Sequence, residues 1–259
     1  MKKTDLKLAL LIGVICFGAG FLLVPYQMNA LTSVLPASEL EKMTGEISAG
    51  FLSLMTAIQL FITSFILSWI GFKLARKTGF SFEILQSLAE KGPKKWFCAK
   101  PLLLAVLLGT VTGFIIAGGD RFYFEKHIPQ IEAMNPEFSW IGLFAGALYG
   151  GVFEETMLRL FFVSLLVWVF IKIFKRKNST FYWAAITIAA LVFAGAHLPF
   201  TTLLFGELTG MIIFRCFLLN GIGAIFFRWL YWKKGFEYAI VSHMFAHISM
   251  QLLFIPLFY

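Results

Sequence analysis

Long apolar runs separated by short polar segments dominate the sequence from end to end. Seven of these runs are long enough to cross a bilayer, since one span needs about 20 largely apolar residues. They cover residues 8–24, 51–72, 101–118, 140–171, 181–198, 208–230 and 236–257. No internal repeat or low-complexity linker separates them. We therefore predict a single all-α domain over residues 1–259, a polytopic transmembrane helix bundle of about seven to eight spans with an intramembrane active site.

The fourth run is too long for one simple crossing, and it contains the pair Gly150-Gly151. It would form about 48 Å of helix, either one tilted and protruding helix or two short helices broken at the glycines. One crossing places 17 of the 22 Lys and Arg residues inside and three outside, whereas two crossings place ten on each side. The positive-inside rule therefore favours one long fourth helix and a cytoplasmic amino terminus.

The composition supports a membrane protein and narrows its partners. Hydrophobic residues make up 59% of the chain and charged residues 14%, whereas soluble domains contain about 25% charged residues. A net charge of +8 would suit a nucleic-acid partner, but the cations cluster between the apolar runs, as cytoplasmic flanks do. We expect a multi-pass protein of the cell membrane, with lipid and no nucleic acid as partner. The mixed segment 80–100 is predicted to lie along the inner membrane surface.

Ionisable residues inside the apolar runs are few, and each is a candidate functional residue because charge is costly within a bilayer. Glu155 and Arg159 are four residues apart, so they can pair on one helix face. Glu154 points about 100° away from Glu155. It is left without a cation of its own and suits the role of general base. In the alternative interpretation, all three form a buried ion cluster that fixes helix contacts.

Histidines form the second group of candidates in a chain that has only four of them. His243 and His247 are four apart and share a helix face, as two ligands or two donors to one centre must. His197 lies near the end of the fifth run. Each has a structural alternative as a satisfied core residue.

Two further arginines lie in or beside the sixth run. Arg228 is interpreted as a flank cation at its inner end. Arg215 is expected to pair with Glu207, to line a cleft or to have a structural partner in the bundle. The motifs do not account for Arg215 or for Asn220.

Taken together, three motifs resemble those of one protein family. Residues 154–159 have the pattern EExxxR, residues 193–197 have FxxxH, and residues 243–247 supply a later pair of histidines. Over about 140–250 the chain resembles the CPBP family of intramembrane proteases, which includes CAAX prenyl endopeptidases and bacterial abortive-infection or bacteriocin-immunity proteins.

The resemblance implies a role for each matched residue. Glu154 would activate water as the base. His197 and His243 would bind or polarise the scissile carbonyl, and Glu155 and Arg159 would support the site.

The last motif departs from the family pattern, which is usually HxxxN, because His247 stands where the family has Asn. An imidazole can donate a hydrogen bond as an amide does. We expect no obligatory metal, with zinc as the alternative. The candidate ligands for zinc are His197, His243, His247 and Glu154.

The predicted function is that of an intramembrane endopeptidase. Its substrate would be a hydrophobic or membrane-associated peptide, such as a prenylated or leader peptide, that enters from the membrane. A non-catalytic immunity or scaffold protein is the first alternative, and a proton-coupled transporter is the second. Loss of cleavage on changing Glu154 to Gln would distinguish the enzyme from both.

Overall fold

The computed structural model describes residues 3–45, 47–134 and 136–259, and most of these residues are helical. In chain order the helices are α1 (Lys3–Thr32), α2 (Ala37–Thr44), α3 (Ala49–Thr78), α4 (Glu83–Ala89), α5 (Ala99–Phe122), α6 (Pro129–Met134), α7 (Trp140–Phe174), α8 (Ser179–Ala196), α9 (Leu198–Phe205), α10 (Gly210–Lys233) and α11 (Phe236–Phe258). A 3₁₀ turn, Phe124–Lys126, lies between α5 and α6.

Seven helical segments within the described residues are long and apolar enough to cross a membrane. They are α1, α3, α5, α7, α8 together with α9, α10 and α11. This confirms the predicted all-α polytopic bundle, with seven candidate spans. Many large apolar side chains remain exposed on the outside of the bundle, such as Leu103 and Leu107 of α5. Such a surface suits contact with lipid rather than water.

Short polar side chains and glycines mark the ends of the spanning helices. Ser139 caps α7 by accepting a hydrogen bond from the Gly142 N–H (3.1 Å), and Thr209 caps α10 by accepting from the Ile212 N–H (3.3 Å). Gly79 ends α3 at a φ of 89° and donates to the Ala75 carbonyl (2.9 Å). These caps satisfy backbone groups that the helix itself leaves free.

Small residues bring the spanning helices into close contact. A Cβ on Gly20 of α1 would lie 2.4 Å from the Ala57 Cα of α3. A Cβ on Gly109 of α5 would lie 2.2 Å from the Ser242 carbonyl oxygen of α11. Without a large hydrophobic driving force in lipid, such close packing is what holds membrane helices together.

The fourth span is one continuous helix, α7, as the distribution of cations favours. The sequence did not predict the hydrogen-bonding pattern inside this helix. Two stretches, Gly146–Glu154 and Thr156–Val163, have π-helical hydrogen bonding. Such wide turns are rare and occur frequently at functional sites. Gly150 and Gly151 do not break the helix. Their missing side chains instead make room for α11, since a Cβ on Gly151 would lie 2.4 Å from the Met244 Cγ.

A two-residue connection, Lys234 and Gly235, joins α10 to α11. Gly235 has a φ of 120°, and a Cβ there would lie 2.8 Å from the Ser81 Oγ. The Phe236 N–H donates to the Ser81 carbonyl (2.9 Å), and the Glu237 carboxylate accepts from the Leu85 N–H (2.8 Å). These contacts fix the start of the helix that carries two of the predicted site residues.

The segment predicted to lie along the membrane surface is helical only over Glu83–Ala89. The following residues are irregular as far as α5, and Trp96 is exposed there. Lys95 and Glu83 form an exposed ion pair. The predicted placement along the inner surface stays a prediction.

Candidate active site

A cavity of about 390 Å³ lies inside the bundle, between α1, α5 and the helices α7 to α11. Glu154, His197, His243 and His247 all line it. Glu154 belongs to α7, His197 lies at the junction between α8 and α9, and His243 and His247 belong to α11, so these side chains come from distant parts of the sequence. The structure therefore brings together the four residues that the motifs single out. Most of the remaining wall is apolar or aromatic.

His243 lies between the two adjacent carboxylates of α7. Its Nδ1 is 2.7 Å from the Glu155 Oε1, and its Nε2 is 3.8 Å from the Glu154 Oε2. The first distance is that of a hydrogen bond, and the second is too long for one. Glu155, which is fully buried, thus holds the ring, while Glu154 faces the other ring nitrogen in the cavity.

Hydrogen bonds also determine which nitrogen of each histidine carries a proton. The His197 Nδ1 lies 2.8 Å from the Phe193 carbonyl oxygen. A carbonyl can only accept, so Nδ1 carries hydrogen. A Glu155 carboxylate requires the same of the His243 Nδ1. When neutral, both rings have a lone pair on Nε2; when protonated, both Nε2 atoms donate.

Glycines of α7 position His247. Its ring stacks on that of His243, with ring centres 5.2 Å apart. A Cβ on Gly146 would lie 2.4 Å from the His247 Nδ1, and one on Gly150 would lie 2.6 Å from its Nε2. Any side chain at either position would collide with the imidazole. The π-wound segment of α7 is thus the surface against which the histidine pair rests.

Arg159 supports the site from a fully buried position. Its Nε lies 3.1 Å from the Glu155 Oε2, and the two form an ion pair. The orientation is not that of a hydrogen bond, and none of the three guanidinium nitrogens has a hydrogen-bond partner among the residues that the structure describes. The guanidinium instead lies near two aromatic rings, 5.4 Å from the centre of Phe193 and 5.5 Å from that of Phe227.

The sequence interpretation of Arg228 is wrong. This residue is not a solvated flank cation but is completely buried. It donates from Nη2 to the Ala189 carbonyl (2.7 Å). Arg228 lies more than one helical turn before the lysine pair at 233 and 234, in an otherwise apolar stretch. That separation is the sequence signal that distinguished it from a flank residue.

Arg215 does not pair with Glu207 and does not line the cavity. It forms two hydrogen bonds with Asp120 of α5, at 2.6 and 2.5 Å. Of its predicted alternatives, the structural partner in the bundle is confirmed.

Asn220 lines the cavity, although the motifs do not include it. Its Nδ2 donates to the Cys216 carbonyl (2.8 Å). Within the described part of the chain, no hydrogen bond involves its Oδ1. A polar residue in the middle of an apolar span was the signal for this position, but spacing alone does not show which way its side chain points.

The hydrogen bonds of the histidines would suit zinc, since a metal-bound histidine donates the N–H of its second ring nitrogen to a carboxylate or carbonyl. The spacing of the side chains does not suit zinc. Among the described residues, no group of three or more His, Cys, Asp or Glu side chains converges closely enough to hold a metal ion. We therefore derive no catalytic step through a metal.

Comparison with known protein families identifies a match over the part of the chain that carries the motifs. The family described as Type II CAAX prenyl endopeptidase Rce1-like matches residues 136–249. This segment contains α7 to α10 and most of α11, and therefore every residue of the EExxxR, FxxxH and later histidine motifs. No curated protein and no solved structure matches the chain.

Proposed function

Because residues 136–249 belong to the Rce1-like family of type II CAAX prenyl endopeptidases, we propose that this multi-pass membrane protein is an intramembrane endopeptidase that uses water activated by Glu154. Membership of a protease family supports peptide hydrolysis in general. The observation that carries the finer proposal is the meeting of Glu154, His197 and His243 at one cavity inside the bundle.

Glu154 is the proposed general base. It lines the cavity, no cation of the described part of the chain is hydrogen-bonded to it, and its Oε2 lies 3.8 Å from the Nε2 of His243. In the proposed reaction its carboxylate takes a proton from water as the oxygen attacks the scissile carbonyl. The same proton then passes to the nitrogen of the leaving amine, so that the carboxylate is restored when the peptide bond breaks.

His197 and His243 are the proposed oxyanion-stabilising groups. Each ring is anchored through Nδ1, so that Nε2 is its free nitrogen, which becomes a donor once the ring takes up a second proton. A ring protonated at both nitrogens donates from Nε2 to the oxyanion, and Glu155 stabilises the resulting positive charge on His243. His247 stacks on His243 and would act on the same oxyanion in place of the family's Asn.

The proposed substrate is a hydrophobic or lipid-modified peptide that enters from the membrane. The cavity wall is rich in apolar and aromatic residues, among them Leu23, Met157 and Phe200. A prenyl chain or an apolar peptide tail would be stabilised there by burial of its surface. The positive-inside rule further supports a cytoplasmic amino terminus in the cell membrane.

Purified wild-type protein and Glu154→Gln in detergent would be incubated with matched prenylated and unprenylated peptides, and mass spectrometry would detect the products. Glu207→Gln is the matched control, since Glu207 is exposed and outside the cavity. We expect cleavage by wild type and Glu207→Gln, and a loss of about 10²–10⁴-fold in Glu154→Gln. Equal cleavage by all three would exclude Glu154 as the base.

The same assay tests the alternatives. Cleavage that is lost with a chelator and restored by zinc would establish the metal alternative. If the folded wild type cleaves no peptide, the scaffold or immunity alternative becomes the better explanation. A proton-coupled transporter would instead move protons across reconstituted vesicles, and Glu154→Gln would stop that movement.

A further inference from the structure

Arg228 is a buried cation that the proposed mechanism does not use. Its side chain is completely buried in α10. One hydrogen bond, to the Ala189 carbonyl, engages Nη2, whereas Nε and Nη1 have no hydrogen-bond partner within residues 3–45, 47–134 and 136–259. A buried cation with so few hydrogen bonds is costly, particularly within a membrane. Another interaction must therefore offset the cost of burying the Arg228 cation.

Aromatic rings connect Arg228 to the site. Its guanidinium carbon lies 5.6 Å from the centre of the Phe193 ring, which Arg159 also approaches. The Phe193 ring in turn contacts two histidines edge-on, with ring centres 4.5 Å from His197 and 6.4 Å from His243. Phe193 is therefore held between the arginines and the imidazoles of the site.

With the imidazoles of the site neutral, the charges of the cluster balance. Glu154 and Glu155 contribute two carboxylates, and Arg159 and Arg228 contribute two guanidinium groups. All four side chains are buried, and both guanidinium groups lie near the Phe193 ring. Glu154 and Glu155 of α7 thus share the interior of the bundle with one arginine of their own helix and one of α10.

We propose that Arg228 is a positioning residue: with Arg159 it fixes the Phe193 ring, which orients His197 and His243, and it supplies the second positive charge of a neutral buried cluster. The expected effect of Arg228 on catalysis rests on the proposed function, whereas its expected effect on the orientation of the histidine rings is independent of that function.

The first test observes the rings directly. A chain with four histidines gives few imidazole signals in NMR spectra of protein with ¹⁵N-labelled histidine in detergent. Arg228→Met removes the charge, Arg228→Lys keeps it without the planar guanidinium, and Arg215→Met is a matched control outside the cavity. We expect shifted His197 and His243 signals in Arg228→Met, smaller shifts in Arg228→Lys, and none in Arg215→Met. Unchanged signals in folded Arg228→Met would overturn the proposal.

The second test uses any peptide that the wild type cleaves. We expect Arg228→Met to lower kcat about 10²-fold, the loss typical of a small misplacement of catalytic groups, with KM within threefold. Arg228→Lys should regain part of kcat, and Arg215→Met should stay within twofold of wild type. An unchanged kcat in Arg228→Met, or an equal loss in Arg215→Met, contradicts the positioning role. If wild type cleaves nothing, the proposed function fails, and the NMR result still decides the role of Arg228.

The third test covers the case in which Arg228→Met does not fold. The double variant Arg228→Met with Glu155→Gln again has a neutral cluster. We expect it to yield more folded protein in detergent and a higher midpoint of thermal unfolding than Arg228→Met alone. A double variant no more stable than the single variant would overturn the charge-balance part of the proposal.

Discussion

Two arginine–carboxylate pairs in this bundle differ in how well the arginine is hydrogen-bonded. Arg215 and Asp120 form two short hydrogen bonds, and their side chains are 21% and 15% exposed. Arg159 and Glu155 are both 0% exposed, and the structure describes no hydrogen-bond partner of the Arg159 guanidinium in the ranges it covers, 3–45, 47–134 and 136–259. The first geometry is that of a well-bonded structural pair. The second pair makes few hydrogen bonds and lies behind the histidines. A buried pair of this kind contributes little to stability, so its position beside the histidines suggests a role in the site.

Breaking the fully buried pair should have the largest effect. Arg159→Met leaves the Glu155 carboxylate in the bundle without its ion-pair partner, so we expect a loss of about 3–5 kcal/mol in the free energy of unfolding. Arg215→Met should cost less, because both members of its pair retain contact with the surroundings. Unfolding by denaturant in mixed micelles would compare the two variants. A larger loss in Arg215→Met would reverse the comparison.

Removing the charge of Glu155 tests what the buried pair does for the site. In Glu155→Gln the acceptor of the His243 Nδ1–H becomes neutral and can no longer stabilise a charged imidazole. We expect kcat to fall about 10²-fold with little change in KM, since a single electrostatic donor or acceptor at a site contributes on this order. Asp120→Asn is the matched control from the other pair and should keep kcat within threefold. A rise in KM with an unchanged kcat in Glu155→Gln would indicate that Glu155 contacts the substrate instead.

Crowding the histidine pair should have an intermediate effect. A Cβ on Gly150 would lie 2.6 Å from the His247 Nε2, whereas one on Gly221 meets nothing within 4 Å. Gly150→Ala is therefore expected to cost about 1–3 kcal/mol in stability and to displace His247. Gly221→Ala should be neutral or stabilising by about 0.5–1 kcal/mol, because alanine favours a helix. Thermal unfolding and cleavage rates of both variants would check this, and equal behaviour would contradict the close contact.

The smallest effect is expected at Asn220. Asn220 lines the cavity, and its Oδ1 accepts no hydrogen bond from the described residues. A peptide entering from lipid needs partners there for its backbone N–H groups. Asn220→Leu should raise KM about fivefold, the equivalent of one ordinary hydrogen bond of about 1 kcal/mol, and should leave kcat unchanged. Peptide titration of the Glu154→Gln protein with and without the second change separates binding from cleavage. An unchanged affinity would remove Asn220 from the substrate contacts.

The spans and the motif residues could be predicted from the sequence, whereas the network behind them could not. Apolar runs and the distribution of lysines and arginines indicate seven helices and a continuous α7, because hydropathy and flank charge act locally along the chain. The partner of Arg215 and the burial of Arg228 depend on which helix packs against which. The pattern of apolar residues along the sequence does not show which helices are neighbours. Gly150-Gly151 suggested a break, and its use for a close approach to α11 became visible only with both helices in place.

The connection at Lys234 and Gly235 gives the bundle a strict requirement on chain length. With only two residues between α10 and α11, and with Phe236 bonded to Ser81, the rotational phase of α11 is set at its first residue. One inserted residue would turn that helix by about 100° and carry both histidines away from Glu154. We therefore expect natural insertions and engineered fusions to be accepted at other loops of this protein long before they are accepted here.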